Sequence, residues 1–470
     1  QFMKIQKNQF LSTEGGLFEV LRIALPLIMG AAAHALNLLA DRVMLSHYSE
    51  EAVAASLTGG LTGFTIACFF LGTIGFTGSF VAQYSGAGAT ERVGTAVWQG
   101  IFLSLIGGAI LATGYFWAEP LFALFRHEPE VTAQEIRYFK ILSLGNVLLL
   151  LNAALGAFWS GRGKTVMVMS VSFLITLMNV PFNYALIYGN WGAPELGIAG
   201  AAWGTNLSAL VGCIVYACFF FIPRSSRRHF NTCSNIIDWG LLWRLIRFGV
   251  PNGFQFFVDL SAFNIFVIVV GTYGKDIGAA TAIAFGLNSI AFTPILGIGQ
   301  TVAILVGQSI GANDVHRAKK SVKSARNLTL IYMGLMAVFF VLLPQAPLAL
   351  FDQSNPEVIR LTKVMLCFIS VYLLFDGMSI IYSSAIKAAG DTFFAMLAGM
   401  TMAFLGLAVP SLIFAKLGMS VWYIWGTIVI YIVICGIVFY ARYLGDKWTH
   451  MKVIENTATL PEDQELLLKD

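Results

Sequence analysis

Two short stretches decide the fold: Val81-Ala82-Gln83-Tyr84-Ser85-Gly86-Ala87 and Val306-Gly307-Gln308-Ser309-Ile310-Gly311-Ala312. They read as one motif written twice, at an offset of 308 − 83 = 225. The same offset pairs Pro26 with Pro251, Gly72 with Gly297 and Arg92 with Arg317. Gly163-Lys164-Thr165 matches Gly390-Asp391-Thr392 at 390 − 163 = 227, and Trp203-Gly204-Thr205 matches Trp425-Gly426-Thr427 at 425 − 203 = 222. Ordered matches at a nearly constant offset mark an internal duplication.

What is duplicated is apolar. The 470 residues are 57% hydrophobic and 11% charged, where soluble domains carry roughly 25% charged residues. Runs of about 20 apolar residues, enough to cross a ~30 Å hydrocarbon core as helix, recur along the chain. We read twelve spans, at 17–46, 53–85, 92–118, 134–160, 166–189, 197–222, 241–272, 277–310, 318–343, 357–387, 392–416 and 420–444. The ~10-residue alternation of a β-barrel is absent. The expected fold is an all-α polytopic membrane protein with two pseudo-symmetric six-helix lobes. These are residues 1–222 and 241–445, with a basic linker at 223–240 and a tail at 446–470. Six spans per half give both halves the same orientation, so the pseudo-twofold axis runs along the membrane normal.

Basic residues fall on alternate connections: Lys4 and Lys7; Arg92; Arg162 and Lys164; Arg224, Arg227 and Arg228; Arg317 to Arg326; Lys387; Arg442, Lys447 and Lys452. The positive-inside rule then puts both termini in the cytoplasm. The polar start, QFMKIQKNQFLSTEGG, does not read as a cleavable signal peptide. The six cysteines form no CxxC pair, so no disulfide framework or metal centre is expected. HExxH, P-loop, GxSxG and dinucleotide motifs are missing, so no enzyme is expected and transport must run on an ion gradient. No cofactor and no nucleic-acid partner are expected, and one lobe pair suffices for a cavity, which makes a monomer the functional unit.

Three carboxylates, Asp41, Asp259 and Asp376, stand alone in apolar stretches of a chain with only 25 Asp and Glu. An acid at bilayer depth costs at least ~2.5–3.5 kcal/mol on insertion scales and marks an ion or proton site by default. Each follows a polar residue by four positions, Asn37, Gln255 and Tyr372, and such pairs share a helix face. Their oxygens suit a hard cation such as Na⁺; a proton needs only the carboxylate. The bland alternative is an acid neutralised by a neighbouring base or capping a broken helix. Asn179 and Asn183 bracket Pro181 on a second such face, where interhelical hydrogen bonding is an equal reading. Thr205 is a weaker polar candidate, and the substrate cavity is expected to involve His34, Gln83 and Asn288, with Phe256 and Phe263 gripping flat cations by stacking.

With GVPNGFQFFVDLSAF in span seven, LLADRVMLSHYSEEAVAA in span one, and VAQYSGAG, FWSGRGKT, MNVPFNYALIYGNWGAPELGIAGAAWGT and AIKAAGDT elsewhere, the chain resembles the multidrug and toxic compound extrusion (MATE) transporters over essentially its whole length. It looks most like the NorM-type bacterial branch. The resemblance implies Na⁺- or H⁺-coupled export of amphipathic, often cationic compounds across a bacterial inner membrane. By position it implies a second-lobe cation site of Asp259, Tyr372 and Asp376, and a first-lobe polar cluster of Asn179, Asn183 and Thr205 with Asp41. There are departures. NorM-type proteins usually have Glu where this chain has Asp259, and the DinF-type branch usually has Asp where it has Asn183.

The runner-up is a lipid-linked saccharide flippase of related two-lobe architecture, which would favour a cavity rich in Arg and Lys. The spans here read as poor in interior bases. The scaffold is duplicated but the acids are not: at offset 225 Asp41 falls opposite Phe266 and Asp259 opposite His34, and at offset 227 Asp376 falls opposite Leu149. The expectation is therefore two unequal sites. The second-lobe acids, with Gln255 and Tyr372, take the coupling cation. Asp41, with Asn37 and its neighbours, handles protonation or substrate release.

Overall fold

A computed structural model describes residues 14–125, 127–233, 236–348 and 355–455. Lys4, Lys7, the rest of the start before residue 14 and the tail beyond 455 lie outside the described residues. Twelve helices are long and apolar enough to cross a membrane. They are α1 (Leu17–Ser46), α2 (Glu50–Gly86), α3 (Thr90–Ala112), α4 (Pro129–Ser160), α5 (Thr165–Tyr188), α6 (Ile198–Phe221), α7 (Trp239–Gly271), α8 (Lys275–Gly311), α9 (Val315–Leu342), α10 (Pro356–Ala389), α11 (Thr392–Lys416) and α12 (Val421–Leu444). No strand occurs among the described residues. Starts coincide with side-chain caps where the sequence supplies them. Ser49, Asp238, Asp314 and Asn355 each accept a backbone N–H of the first turn, satisfying a donor the helix leaves free. Among the in-span prolines, Pro26, Pro181, Pro251 and Pro294 sit inside continuous helices. Pro410 instead follows a π-helical segment, Ala403–Ala408, which gives α11 an irregular turn.

The two halves pack alike. α1 lies on α5 as α7 lies on α11; α2 on α4 as α8 on α10; α3 on α4 as α9 on α10; and α4 on α6 as α10 on α12. Across the halves, α1 meets α8 and α2 meets α7, the same pair under exchange of halves. Individual atoms obey the exchange. A Cβ on Gly86 would stand 1.9 Å from the Gln308 carbonyl oxygen, and one on Gly311 would stand 2.0 Å from that of Gln83. Gln308 Nε2 donates to the Gly161 carbonyl at 2.9 Å, and Gln83 Nε2 donates to that of Ala388 at 2.8 Å. The motif that revealed the duplication is thus the place where the two copies touch, with backbone approaching so closely that only glycine fits.

That contact lies at one end of the molecule, the basic face. Arg92 pairs there with Asp238 at 2.8 Å and Glu455 at 2.7 Å, and Arg317 pairs with Glu19 at 2.8 Å. The segment after α12 crosses this face. Trp448 is buried and stacks on Tyr443 in the second half, whereas Val453 and Ile454 are buried in the core of the first half. The Val453 N–H donates to Gln83 Oε1 at 3.0 Å. Gln83 is fully buried with both ends of its amide engaged, so its place as a cavity residue is corrected: it is a strut between the halves.

Candidate functional site

Asp41 lies in the last two turns of α1, which ends at Ser46, close to the end remote from the basic face. It is buried beside Asn37, one turn earlier, and faces α5. Asn183 Nδ2 donates to Asp41 Oδ1 at 2.5 Å and also contacts Asn179 Oδ1 at 2.9 Å. Asn179 and the Thr205 hydroxyl stand beside the same carboxylate as further polar neighbours. The sequence makes room for this: a Cβ on Gly204 would stand 2.0 Å from Asn183 Oδ1. All five residues expected in the first-half cluster are therefore brought together. Asn37 Oδ1, Asn179 Nδ2 and Asn183 Oδ1 are sealed from solvent with open hydrogen-bonding capacity. Tyr138 of α4 and Arg42 lie within electrostatic reach of Asp41, and neither was singled out by the sequence.

The second-half acids sit deeper. Asp259 lies about three turns before the remote end of α7 at Gly271, and Asp376 more than five turns into α10 from its remote end at Pro356. Both are partly accessible although protein surrounds them, as lining of an internal cleft would be. Gln255 and the Tyr431 hydroxyl of α12 stand beside Asp259 as polar neighbours, and its Oδ1 is sealed without a partner. Asp376 has no hydrogen-bond partner among the described residues. Tyr372, fully buried, lies one turn before it. Tyr431 and Cys435 of α12 lie within electrostatic reach of both acids. Gln255 is seated against Gly399 of α11, where a Cβ would meet its Nε2 at 2.9 Å. The Tyr431 and Cys435 pair, four apart on one face, is the signal that could have found this wall.

Lys387, the last residue of the span expected at 357–387, lies in the last turn of α10 near the basic face, half-buried and within electrostatic reach of Asp259.

The remaining candidates scatter. His34 is open to solvent although protein lies on most sides of it, as fits a residue in the cleft. Phe256 is exposed and packs edge-on against Phe64 across the halves at 6.4 Å. Asn288 is half-buried with its oxygen unpartnered. Phe263, one turn after Asp259 on α7, lines a nearly apolar cleft of about 280 Å³ with Val267, Gly271, Gly278, Thr281 and Phe285 between α7 and α8, a lining that includes neither acid.

Twelve spans in two equivalent halves, with unpartnered carboxylates in a cleft between packed helices, define a membrane transporter built on a parallel repeat. The profile of the MatE family matches residues 26–185 and 251–414. There is one match in each half, and their starts differ by the repeat offset, 251 − 26 = 225. The chain belongs to the MatE family and groups with its NorM-type multidrug transporters. It is 26% identical over 412 residues to the multidrug resistance protein PmpM of Pseudomonas aeruginosa, covering 87% of this chain and 85% of that one. It is 29% identical over 397 residues to the multidrug resistance protein NorM of Burkholderia vietnamiensis, covering 83% and 85%. Among solved structures, an outward-facing multidrug resistance MATE family transporter superposes with TM-score 0.83 at 21% identity, covering 93% of this chain and 98% of that one. A MOP superfamily transporter from Pyrococcus furiosus superposes equally well, at 0.83 and 20% identity, covering 93% and 97%. At these identities the structural matches bear on the fold alone. The family consists of transporters, not enzymes, and the chain is a bacterial-type multi-pass membrane protein that moves small molecules.

Proposed function

We propose that this transporter exports amphipathic, often cationic compounds across the inner membrane in exchange for Na⁺ or H⁺, by alternating access. Residues 1–222 and 241–445 act as the two lobes, joined by the linker at 223–240, with the tail at 446–470 and both termini on the cytoplasmic side, and one chain is the working unit. The observation that carries the reading is the contrast in hydrogen bonding. Asp259 keeps an oxygen with no partner, and Asp376 has no hydrogen bond among the described residues. A buried polar group without a partner costs free energy. These two carboxylates gain most from a bound cation, with Tyr372 and Gln255 beside them.

Asp41 is instead held by Asn183 and flanked by Asn179 and Thr205, and serves protonation or substrate release. A cation shifts the balance between outward- and inward-facing states only if it binds one of them better. The test is export of a cationic dye from proteoliposomes, driven separately by a Na⁺ gradient and a pH gradient. Export driven by one of them and lost in Asp376→Asn supports the reading. Export indifferent to both gradients would sink it.

A further inference from the structure

Opening one end of a two-lobe transporter parts the halves there, so a segment that joins them at that end must let go. The stretch after α12 is such a segment. It starts on the second half. Asp446 pairs with Lys319 of α9 at 2.7 Å, Trp448 is buried against Tyr443, and Lys452 Nζ donates to Asn313 Oδ1 at 2.5 Å. It ends on the first half. The Val453 N–H donates to Gln83 of α2 at 3.0 Å, and the Val453 and Ile454 side chains are buried. Glu455 accepts from the Tyr84 hydroxyl at 2.7 Å and pairs with Arg92 of α3 at 2.7 Å. It also pairs with Arg244 of α7 at 2.5 Å, so it takes one arginine from each half. Only Thr449 to Lys452 separate the Trp448 anchor from the Val453 anchor. The backbone at Met451 is already extended, and a chain spans at most ~3.6 Å per residue, so little slack remains. The basic-face end cannot open while both anchors hold.

The repeat does not require this crossing. The matching stretch after α6 stays on its own half: Trp98 and Gln99 of α3 donate to the Thr232 and Ile236 carbonyls at 3.0 and 3.3 Å. A Cβ on Gly94 of α3 would stand 2.1 Å from the Phe230 carbonyl oxygen. We propose that residues 446–455 are a latch: seated across both halves they hold the basic-face end shut, and they leave the first half each time that end opens. The first-half anchor is the one to yield, because the other is continuous with α12 and carries the buried Trp448. The proposal rests on the alternating-access reading.

The test ties the latch to the first half. The Arg92 and Glu455 side chains are 35% and 37% exposed, within reach of a reagent. In the full chain with the exposed Cys218, Cys233 and Cys367 changed to Ser, Arg92→Cys and Glu455→Cys are joined by a flexible bismaleimide in proteoliposomes. Ethidium export is compared before and after linking. It is expected to fall more than about tenfold, while ethidium binding from the outer side is kept. Linked protein that exports at its unlinked rate overturns the latch, and so does loss of outer-side binding on linking. Should the double variant not fold, the wild type decides: with the basic face exposed to trypsin, cleavage at Lys452 should quicken several-fold during turnover. Equal rates at rest and in turnover overturn the proposal. Wild-type export that ignores both gradients would instead indict the efflux reading, and the latch then stands or falls on whether ethidium alone alters cleavage at Lys452.

Discussion

The two halves share a scaffold to within individual backbone contacts, but their polar sites differ in how they treat a carboxylate. In the first half Asp41 is surrounded by amides and a hydroxyl: Asn183 at 2.5 Å, then Asn179 and Thr205. In the second, Asp259 keeps an oxygen sealed without a partner, and Asp376 makes no hydrogen bond among the described residues. Amides hold an acid in place; open lone pairs leave room for something to arrive and depart. Duplication supplied the frame, and the two copies then specialised through side chains that the repeat does not share.

The comparison breaks most visibly at the acids. Asp376→Asn and Asp259→Asn should each cut cation-driven dye export to below about a tenth of wild type, a loss of at least ~1.4 kcal/mol, and flatten its dependence on cation concentration. Asp41→Asn should also lower export but keep the cation dependence of what remains. Initial export rates titrated against Na⁺ and pH separate the cases. Equal flattening in all three variants would erase the distinction between the sites.

How legible this was in the sequence depends on the kind of residue. The spans were readable because apolar length and cap residues act locally, and the pseudo-axis was readable because Gln83 and Gln308 sit in a motif repeated at constant offset. Asp41, Asn179 and Asn183 were readable because a lone polar residue in an apolar run costs too much to be incidental. Tyr431 was not, because nothing local marks an aromatic hydroxyl in a span; only the packing of α12 against α10 and α7 brings it beside Asp259. Gln83 was misplaced for the converse reason: its partners, Ala388 and Val453, lie in the far half of the chain.

Glycines probe the same comparison at the level of stability. Where the copies are equivalent, equal penalties are expected. Gly86→Ala and Gly311→Ala each drive a Cβ into a carbonyl oxygen at 1.9 and 2.0 Å. Backbone there cannot yield cheaply, so each should cost ~3 kcal/mol or more, read as a drop in thermal midpoint in detergent. Where the sites diverge, the penalties should diverge. Gly204→Ala collides with Asn183 Oδ1 at 2.0 Å, whereas its repeat partner at 426 − 204 = 222, Gly426, has nothing within 4 Å. Gly204→Ala should cost ~1–3 kcal/mol and lower export; Gly426→Ala should be neutral or slightly stabilising.

The smallest effect concerns how each half anchors its equivalent arginine on the basic face. Arg317 is held by Glu19 and Glu14 from the start of α1; Arg92 is held by Asp238 and by Glu455 of the crossing segment. Burial alone would push the Glu455 carboxyl up, but its backbone contact, the Tyr84 hydroxyl and the Arg244 guanidinium outweigh that and hold it at about 2. A depressed carboxylate stabilises above its unfolded value, ~4.3, and the contribution is lost only as pH falls from there toward 2. The strap should therefore be equally tight at pH 5.5 and 7.5. Because the Arg92 and Glu455 side chains are 35% and 37% exposed, solvent screening keeps each pair within about 1 kcal/mol. Glu455→Gln should raise the rate of tryptic cleavage at Lys452 a few-fold at pH 7.5, while Glu19→Gln leaves that rate unchanged. Cleavage at Lys452 that quickens equally in both variants would mean that the two arginines are anchored as one network and not half by half.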